Sequence, residues 1–128
     1  MPGSDPFAYA ILRVVPSVER GERLNVGVVL FCRQRGFLGL RFVLDEERLH
    51  VLAPGVPADP VRAHLEGLER VAAGAPGSGG VAALPQSERF GWLAAPSSTI
   101  VQSSEVHTGL CEDPAGTLDA LVARLVAV

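Results

Sequence analysis

The stretch that decides the fold is Phe7–Leu44, which reads FAYAILRVVPSVERGERLNVGVVLFCRQRGFLGLRFVL. It holds three apolar runs, rich in β-branched and aromatic residues, that are separated by two polar links. Runs that are apolar on both alternating faces are typical of buried strands, and they predict strands over Phe7–Val15, Leu24–Arg33 and Phe37–Leu44. Pro16 is expected to end the first strand. Because the links are short, the three strands should form an antiparallel meander.

Helical signals follow the third apolar run. The segment Asp45–Leu52 predicts a short helix, with Asp45 as its N-cap. A second helix is expected to begin with Asp59 as N-cap and Pro60 at the first helical position. Gly74 is a suitable stop for this helix, because glycine readily adopts the left-handed conformation that ends many helices.

The last third of the chain predicts two more helical segments and a strand between them. Gln86–Leu93 is expected to hold one or two helical turns, and Ser98–Leu110 alternates weakly, as an edge strand does. A closing helix is expected after an Asp113 cap and Pro114, because its apolar residues recur at helical spacing. The order of elements therefore predicts an α+β protein, a largely antiparallel sheet with helices packed on one face.

Length and composition fit one globular domain over residues 1–128. Hydrophobic residues make up 48% of the chain and charged residues 20%, which is typical of folded rather than disordered sequences. Residues 1–6 are expected to form a disordered tail. Residues 75–83 (APGSGGVAA) are rich in glycine and proline and predict a flexible surface loop.

The charge pattern argues against several classes of function. The net charge of −3 makes a nucleic-acid partner unlikely, because such proteins need a basic face. All 11 basic residues are arginine, so neither Schiff-base chemistry nor a P-loop lysine is available. Abundant Ala, Gly, Pro and Arg indicate a GC-rich bacterial genome. The start of the chain lacks the pattern of a signal peptide, and no apolar run is long enough for a membrane span, so a cytoplasmic location is expected.

The polar cluster that is hardest to explain is Arg13, Arg20, Glu22, Arg23 and Asn25. Arg13 interrupts an otherwise apolar strand, and a buried guanidinium needs a partner. Glu22 in the following link is the expected partner, which would make the cluster structural. The alternative is a binding site for a small anion or carboxylate that uses Arg13 and Arg20.

Other site chemistry finds less support in the sequence. The three histidines show no metal-ligand spacing, so we expect no metal and no cofactor. A nucleophile built from Cys111 or Cys32 with His107 lacks the strand-to-helix turn such sites use, and buried cysteines are expected instead. Gly27 lies inside a predicted strand, which indicates close approach of another group, such as the ring of Tyr9 or of the Phe90–Trp92 segment. Asn25 is expected to close the preceding loop onto the sheet.

The first third of the chain carries a specific motif. Its residues are Tyr9, Arg13, Pro16, Arg20-Gly21-Glu22 and Asn25-Val26-Gly27-Val28. In this motif the chain resembles a small bacterial family catalogued only as a domain of unknown function. The resemblance extends to the later Gln102–Ser104 step and to the Asp113-Pro114 helix start.

The resemblance implies no activity. It implies an accessory role, because members of that family are often encoded beside a protein with a HipA-like kinase domain. The function expected is therefore a non-enzymatic accessory or protein-interaction domain, with a HipA-like kinase as a candidate partner and with self-association left open. The alternative is an enzyme or small-ligand-binding protein that uses Arg13, Glu22 and Asn25.

Overall fold

The computed structural model describes residues 3–95 and 99–127, and it confirms the α+β fold. The strands within these residues are β1 (Asp5–Ser17), β2 (Glu22–Cys32), β3 (Phe37–Phe42), β4 (Val101–Ser103) and β5 (His107–Cys111). The helices are α1 (Glu46–Leu52), α2 (Ala58–Ala73), α3 (Gln86–Leu93) and α4 (Pro114–Leu125). A single 3-10 turn, Val81–Ala83, lies between α2 and α3 in the described chain.

The strands form one antiparallel sheet with β1 in a central position. The order is β3-β2-β1-β4, and β5 also pairs with β1. The first three strands are the predicted meander. On the other edge of β1, β5 pairs with Asp5–Tyr9 and β4 pairs with Leu12–Val14. β1 is therefore hydrogen-bonded to neighbours on both sides.

β1 is longer at both ends than the sequence predicts. Asp5 and Pro6, which were expected in a disordered tail, pair with Cys111 and Leu110; Met1 and Pro2 lie outside the described residues. The prediction that Pro16 ends the strand is also wrong. The pairing with β2 is irregular between Val14 and Ser17, so the missing N–H of proline is tolerated there.

The predicted late strand is divided into β4 and β5, and its first residue, Ser98, lies outside the described residues. The division occurs at Ser104, a buried residue whose hydroxyl accepts a hydrogen bond from the Ile11 N–H at 2.9 Å. The Ser104 N–H donates to the Ile11 carbonyl at 2.8 Å. A side chain thus replaces one backbone acceptor of the ladder, which interrupts regular pairing between the two short strands.

The helix starts follow the predicted chemistry at α1 and differ from it at α2, and at α4 Asp113 holds the N-cap position without a capping hydrogen bond from its side chain. The Asp45 carboxylate accepts the Arg48 N–H at 3.1 Å, as an N-cap does. Asp59 is not the N-cap of α2, because this helix begins at Ala58 after Pro57. Asp59 and Pro60 instead occupy the first turn, where N–H groups have no partner within the helix and proline is tolerated. Gly74 ends α2 with a φ of 66°.

The segment predicted to be a flexible loop contains the 3-10 turn and contacts α3. The Arg89 guanidinium donates to the carbonyl of Leu84 at 3.0 Å and to that of Ala82 at 3.4 Å. The flexibility of residues 75–83 stays a prediction.

Helices pack on both faces of the sheet, so the prediction of a single covered face is wrong. One face carries β1 and β2 side chains such as Leu12 and Val29, and it packs against α1, α2 and α3. The opposite face carries Val28, Leu30 and Cys32, and it packs against α4. The reason is that β2 is apolar at successive positions, and both of its faces must be removed from water.

Gly27 lies beside a β-bulge in the β1–β2 pairing and directly against β3. Leu12 lies opposite Gly27 and Arg13 lies opposite Asn25, so Val26 is an extra residue in β2. A Cβ atom at Gly27 would lie 2.9 Å from the Arg41 carbonyl oxygen and 3.1 Å from the Cβ of Phe42. The close approach predicted at Gly27 is therefore present, but β3 makes it rather than an aromatic ring.

We predict that Gly27→Val lowers the free energy of unfolding by about 1–3 kcal/mol or more. The added atoms would meet the backbone of β3, which moves less easily than a side chain. Denaturant unfolding of the purified variant measures this change.

Gly91→Ala is the matched control, because a Cβ there meets nothing within 4 Å. Gly91 lies inside α3, so alanine should raise stability by roughly 0.5–1 kcal/mol. A Gly27→Val protein as stable as the wild type would contradict the close approach of β3 at Gly27.

Candidate functional site

The face of the sheet that carries α4 is covered unequally. α4 packs on the β2 and β3 side of this face, against residues such as Val28 and Leu30. Towards β1 and β5 the side chains of Tyr9, Arg13 and His107 are half-buried, and that of Glu105 is 76% exposed. We call these four residues the open half-face.

Aromatic rings line one end of the open half-face. Tyr9 lies directly opposite His107 in the β1–β5 pairing, and their ring centroids are 5.2 Å apart. The ring of Phe7 stacks beside Tyr9 at 6.0 Å and lies across Gly109, where a Cβ would be only 2.8 Å from it. The Tyr9 hydroxyl makes no hydrogen bond to any residue that the structure describes. This end therefore presents a fixed ring with a free polar tip.

The other end joins Arg13 to the end of α4. The Arg13 Nε donates to Asn25 Oδ1 at 3.3 Å, and the Asn25 Nδ2 donates to the Leu125 carbonyl at 3.2 Å. Leu125 is the last residue of α4, where carbonyl groups lack partners within the helix. Asn25 thus bonds α4, rather than closing the loop before β2 as expected.

The predicted pairing of Arg13 with Glu22 is wrong. Glu22 forms an ion pair with Arg20 instead, and both side chains are substantially exposed. The register explains the difference, because Arg13 lies opposite Asn25 and Glu22 lies opposite Ser17. Glu22 precedes Asn25 by three residues, a distance of about 10 Å along a strand.

Charged groups around the open half-face influence one another. Burial lowers the pKa of Arg13, the nearby Arg23 lowers it further, and Glu105 opposes both effects. The pKa of Glu105 is lowered mainly by a hydrogen bond to its own backbone N–H; desolvation opposes this, and His107, Arg13 and Arg23 each lower it further by smaller amounts. His107 Nε2 lies 3.6 Å from Glu105 Oε1. Arg13 and Arg23 therefore act as neighbouring cations.

A second polar feature lies beside this site, between β2 and α1. A depression of about 670 Å³ is lined by Arg20, Glu22, Arg23 and Arg48, with apolar residues such as Leu24 between them. A smaller depression of about 300 Å³ shares Arg23 and Arg48 and reaches Asn25 and Leu125. Arg48 lies 3.6 Å from Asp45 and donates to the Val126 carbonyl at 3.5 Å.

The residues singled out in the sequence thus fall into two pairs. Arg13 contacts Asn25, and Arg20 contacts Glu22. Sequence reasoning missed Glu105 as a charged neighbour of Arg13 and His107 as a neighbour of Tyr9, because the pairing of β4 and β5 with β1 brings them there. The one local signal was the spacing of Tyr9 and Arg13, which places both on the same face of a strand.

The opposite face carries an apolar groove beside α2 and α3. A cavity of about 270 Å³ is lined by residues including His64, Leu68 and Trp92, and an adjoining one of about 410 Å³ by Pro60, His64 and Ile100. Trp92 is 49% exposed. This groove lacks the charged groups of the open half-face.

The cysteines do not form a nucleophile with His107. Cys32 and Cys111 are both buried as free thiols, and they contact each other. Burial and the neighbouring Cys32 raise the pKa of the Cys111 thiol, although Arg35 and Thr117 oppose this. His107 lies four residues before Cys111 in the chain, and its ring faces Tyr9 instead. A buried, protonated thiol is a poor nucleophile.

No described group of three or more His, Cys, Asp or Glu side chains is arranged to hold a metal ion. None of the described helices has the length and apolar character needed to cross a membrane.

We predict that Asn25→Ala lowers the free energy of unfolding by about 1–3 kcal/mol, because it removes the acceptor for Arg13 and the donor for Leu125. Amide hydrogen exchange in the last turn of α4 should accelerate. Denaturant unfolding and hydrogen exchange measure both effects.

Glu22→Gln is the control for this experiment. Its ion pair with Arg20 is exposed, so its loss should change stability by less than about 1 kcal/mol. A larger loss in Glu22→Gln than in Asn25→Ala would contradict the observed pairing.

The prediction that the chain holds no structural metal is tested by chelation. Dialysis against a chelator would lower the melting temperature of a protein that a structural metal stabilises. We expect the melting temperature of this chain to stay unchanged. A fall of several degrees that added zinc reverses would refute it.

Comparison with known proteins identifies a family. No curated protein and no solved structure shows a significant match to this chain. Residues 9–126 match a family of unknown function, as the resemblance to such a family predicted. The matched range includes β2 through α4 and most of β1. The chain therefore belongs to the family described as Protein of unknown function (DUF3037).

Proposed function

We propose that this protein is an accessory domain that acts by binding a protein partner and performs no catalysis of its own. The observation that carries the proposal is the open half-face, where Tyr9, Arg13 and His107 are left half-buried beside α4. Tyrosine and arginine are enriched at the residues that contribute most to binding in protein interfaces.

The fold holds these side chains in place before a partner arrives. Tyr9 and Arg13 lie on a strand that is paired on both edges. Arg13 is further fixed by Asn25, and Tyr9 packs between Phe7 and His107. Preorganised side chains lose little conformational entropy on binding, which favours recognition by this surface.

The chemistry of the described residues supports binding more than catalysis. His107, the histidine of the open half-face, contacts Tyr9 and Glu105. The thiol of Cys111 is buried beside Cys32. A nucleophile and a base are therefore not brought together around His107, whereas covalent catalysis requires them within hydrogen-bond reach.

The candidate partner is a HipA-like kinase in the cytoplasm, as the family resemblance implies. The alternative is an enzyme or small-anion-binding protein built on Arg13, Glu22 and Asn25. It has less support, because Glu22 pairs with Arg20 and Asn25 is used to hold the end of α4.

Calorimetric titration of the purified chain into a purified HipA-like kinase tests the proposal. We expect the wild type to bind and Tyr9→Ala to weaken binding at least ~10-fold, the effect of losing about 1.4 kcal/mol at an interface. Trp92→Ala, on the opposite face, should bind like the wild type. Thermal melts of each variant establish that it is folded.

The outcomes separate the parts of the proposal. Absence of wild-type binding contradicts the kinase as partner. Normal binding by a folded Tyr9→Ala protein contradicts the open half-face as the interface, and loss of binding in Trp92→Ala would place the interface in the apolar groove.

A further inference from the structure

We propose that the open half-face, together with Arg23, binds an acidic segment of a partner protein, with carboxylates pairing to Arg13 and Arg23. This inference rests on the proposed interaction function and names the chemistry of the partner. It is carried by two neighbouring guanidinium groups that have no carboxylate partner among the described residues.

Most of the donors of these two arginines are unused within the described chain. Each guanidinium has five N–H donors. Arg13 uses its Nε in the bond to Asn25, and its terminal nitrogens make no hydrogen bond to described residues. Arg23 is exposed and forms no hydrogen bond or ion pair with any described residue.

The carboxylates around the two arginines do not pair with them. Glu105, whose carboxylate extends into solvent near His107, acts on Arg13 without forming an ion pair with it. Glu22 and Glu47 line the same depression as Arg23, and Glu22 is paired with Arg20 instead. A carboxylate supplied by a partner would pair with the two guanidinium groups directly and relieve the repulsion between them.

The carbonyl groups at the end of α4 do not take the place of a carboxylate for Arg13 and Arg23. Helix C-termini carry a partial negative charge that favours nearby cations. The Leu125 carbonyl, however, accepts its hydrogen bond from Asn25 rather than from Arg13 or Arg23. The terminal N–H groups of both arginines remain available for a carboxylate, which arginine binds through two parallel hydrogen bonds.

The arrangement also indicates how an acidic segment would lie. Tyr9 and Arg13 are four residues apart on β1, which is about 13 Å. An extended segment with an apolar residue about four positions from its acidic residues would reach both. Glu105, beside His107 and Tyr9, would repel a carboxylate at that end and so favour the arginine end.

The test uses two synthetic ten-residue peptides, one with glutamates four and six positions after a leucine, so that all three side chains share one side of an extended chain, and one with glutamines in place of the glutamates. NMR titration of the full chain should show binding of the glutamate peptide, with shifts at the arginine Nε–H signals. The glutamine peptide should bind at least ~10-fold more weakly. Raising the salt concentration should weaken the binding of the glutamate peptide and leave that of the glutamine peptide unchanged.

Arg23→Gln is the principal variant, because Arg23 has no partner in the described structure that folding would lose. This substitution should weaken the binding of the glutamate peptide at least ~10-fold, about the loss expected for one desolvated charge pair. Arg70→Gln makes the same charge change on α2 and should bind like the wild type. Arg13→Lys keeps the positive charge but lacks the planar guanidinium group. Its affinity for the glutamate peptide should lie between those of the wild type and Arg23→Gln.

Equal binding of the two peptides, or equal losses in Arg23→Gln and Arg70→Gln, would overturn the inference. Binding of inorganic phosphate without binding of the glutamate peptide would overturn it as well. If the kinase binds through Tyr9 and Arg23→Gln leaves that binding unchanged, the acidic segment is rejected and the interaction function stands. If the glutamate peptide binds through Arg23 and the kinase does not bind, the acidic-segment chemistry stands and the kinase is rejected.

Discussion

The structure depends on the pairing of β1 along both of its edges. This strand of thirteen residues pairs with β2 along one edge and with β4 and β5 along the other. Because side chains alternate between the faces of a strand, this pairing fixes which residues meet each layer of helices. Leu12 and Val14 face α1, α2 and α3, whereas Tyr9 and Arg13 face the side of α4.

The same pairing forces the fold to accommodate an arginine in a central strand. The bulge at Val26 brings Asn25 opposite Arg13, and Asn25 then reaches the last carbonyl of α4. The residue that supports the charged group therefore also holds a helix in place. A change at Asn25 affects the candidate site and the scaffold together, whereas a change at Arg23 affects the site alone.

The local parts of the fold were predictable from the sequence, and the long-range parts were not. The meander follows from apolar runs with short links, so neighbouring segments determine it. Arg13 was assigned to Glu22 because the two are close in the chain, but a one-residue bulge changed which residue lies opposite. Glu105 and His107 reach Tyr9 and Arg13 across about a hundred residues, and no local pattern encodes that pairing.

The open half-face follows from the width of a helix. Neighbouring strands are about 4.8 Å apart and a helix with its side chains is about 10 Å wide, so one helix covers about two strands. α4 covers β2 and β3, and no described helix covers the β1 and β5 side of that face. This surface combines the ring of Tyr9 with the polar groups of Arg13, Glu105 and His107. Single exposed apolar groups are ordinary on protein surfaces, so the ring alone does not mark a binding site. The feature that favours a second molecule is that the partly buried ring lies on the same face as a guanidinium group with no carboxylate partner among the described residues, because tyrosine and arginine are both enriched at interfaces.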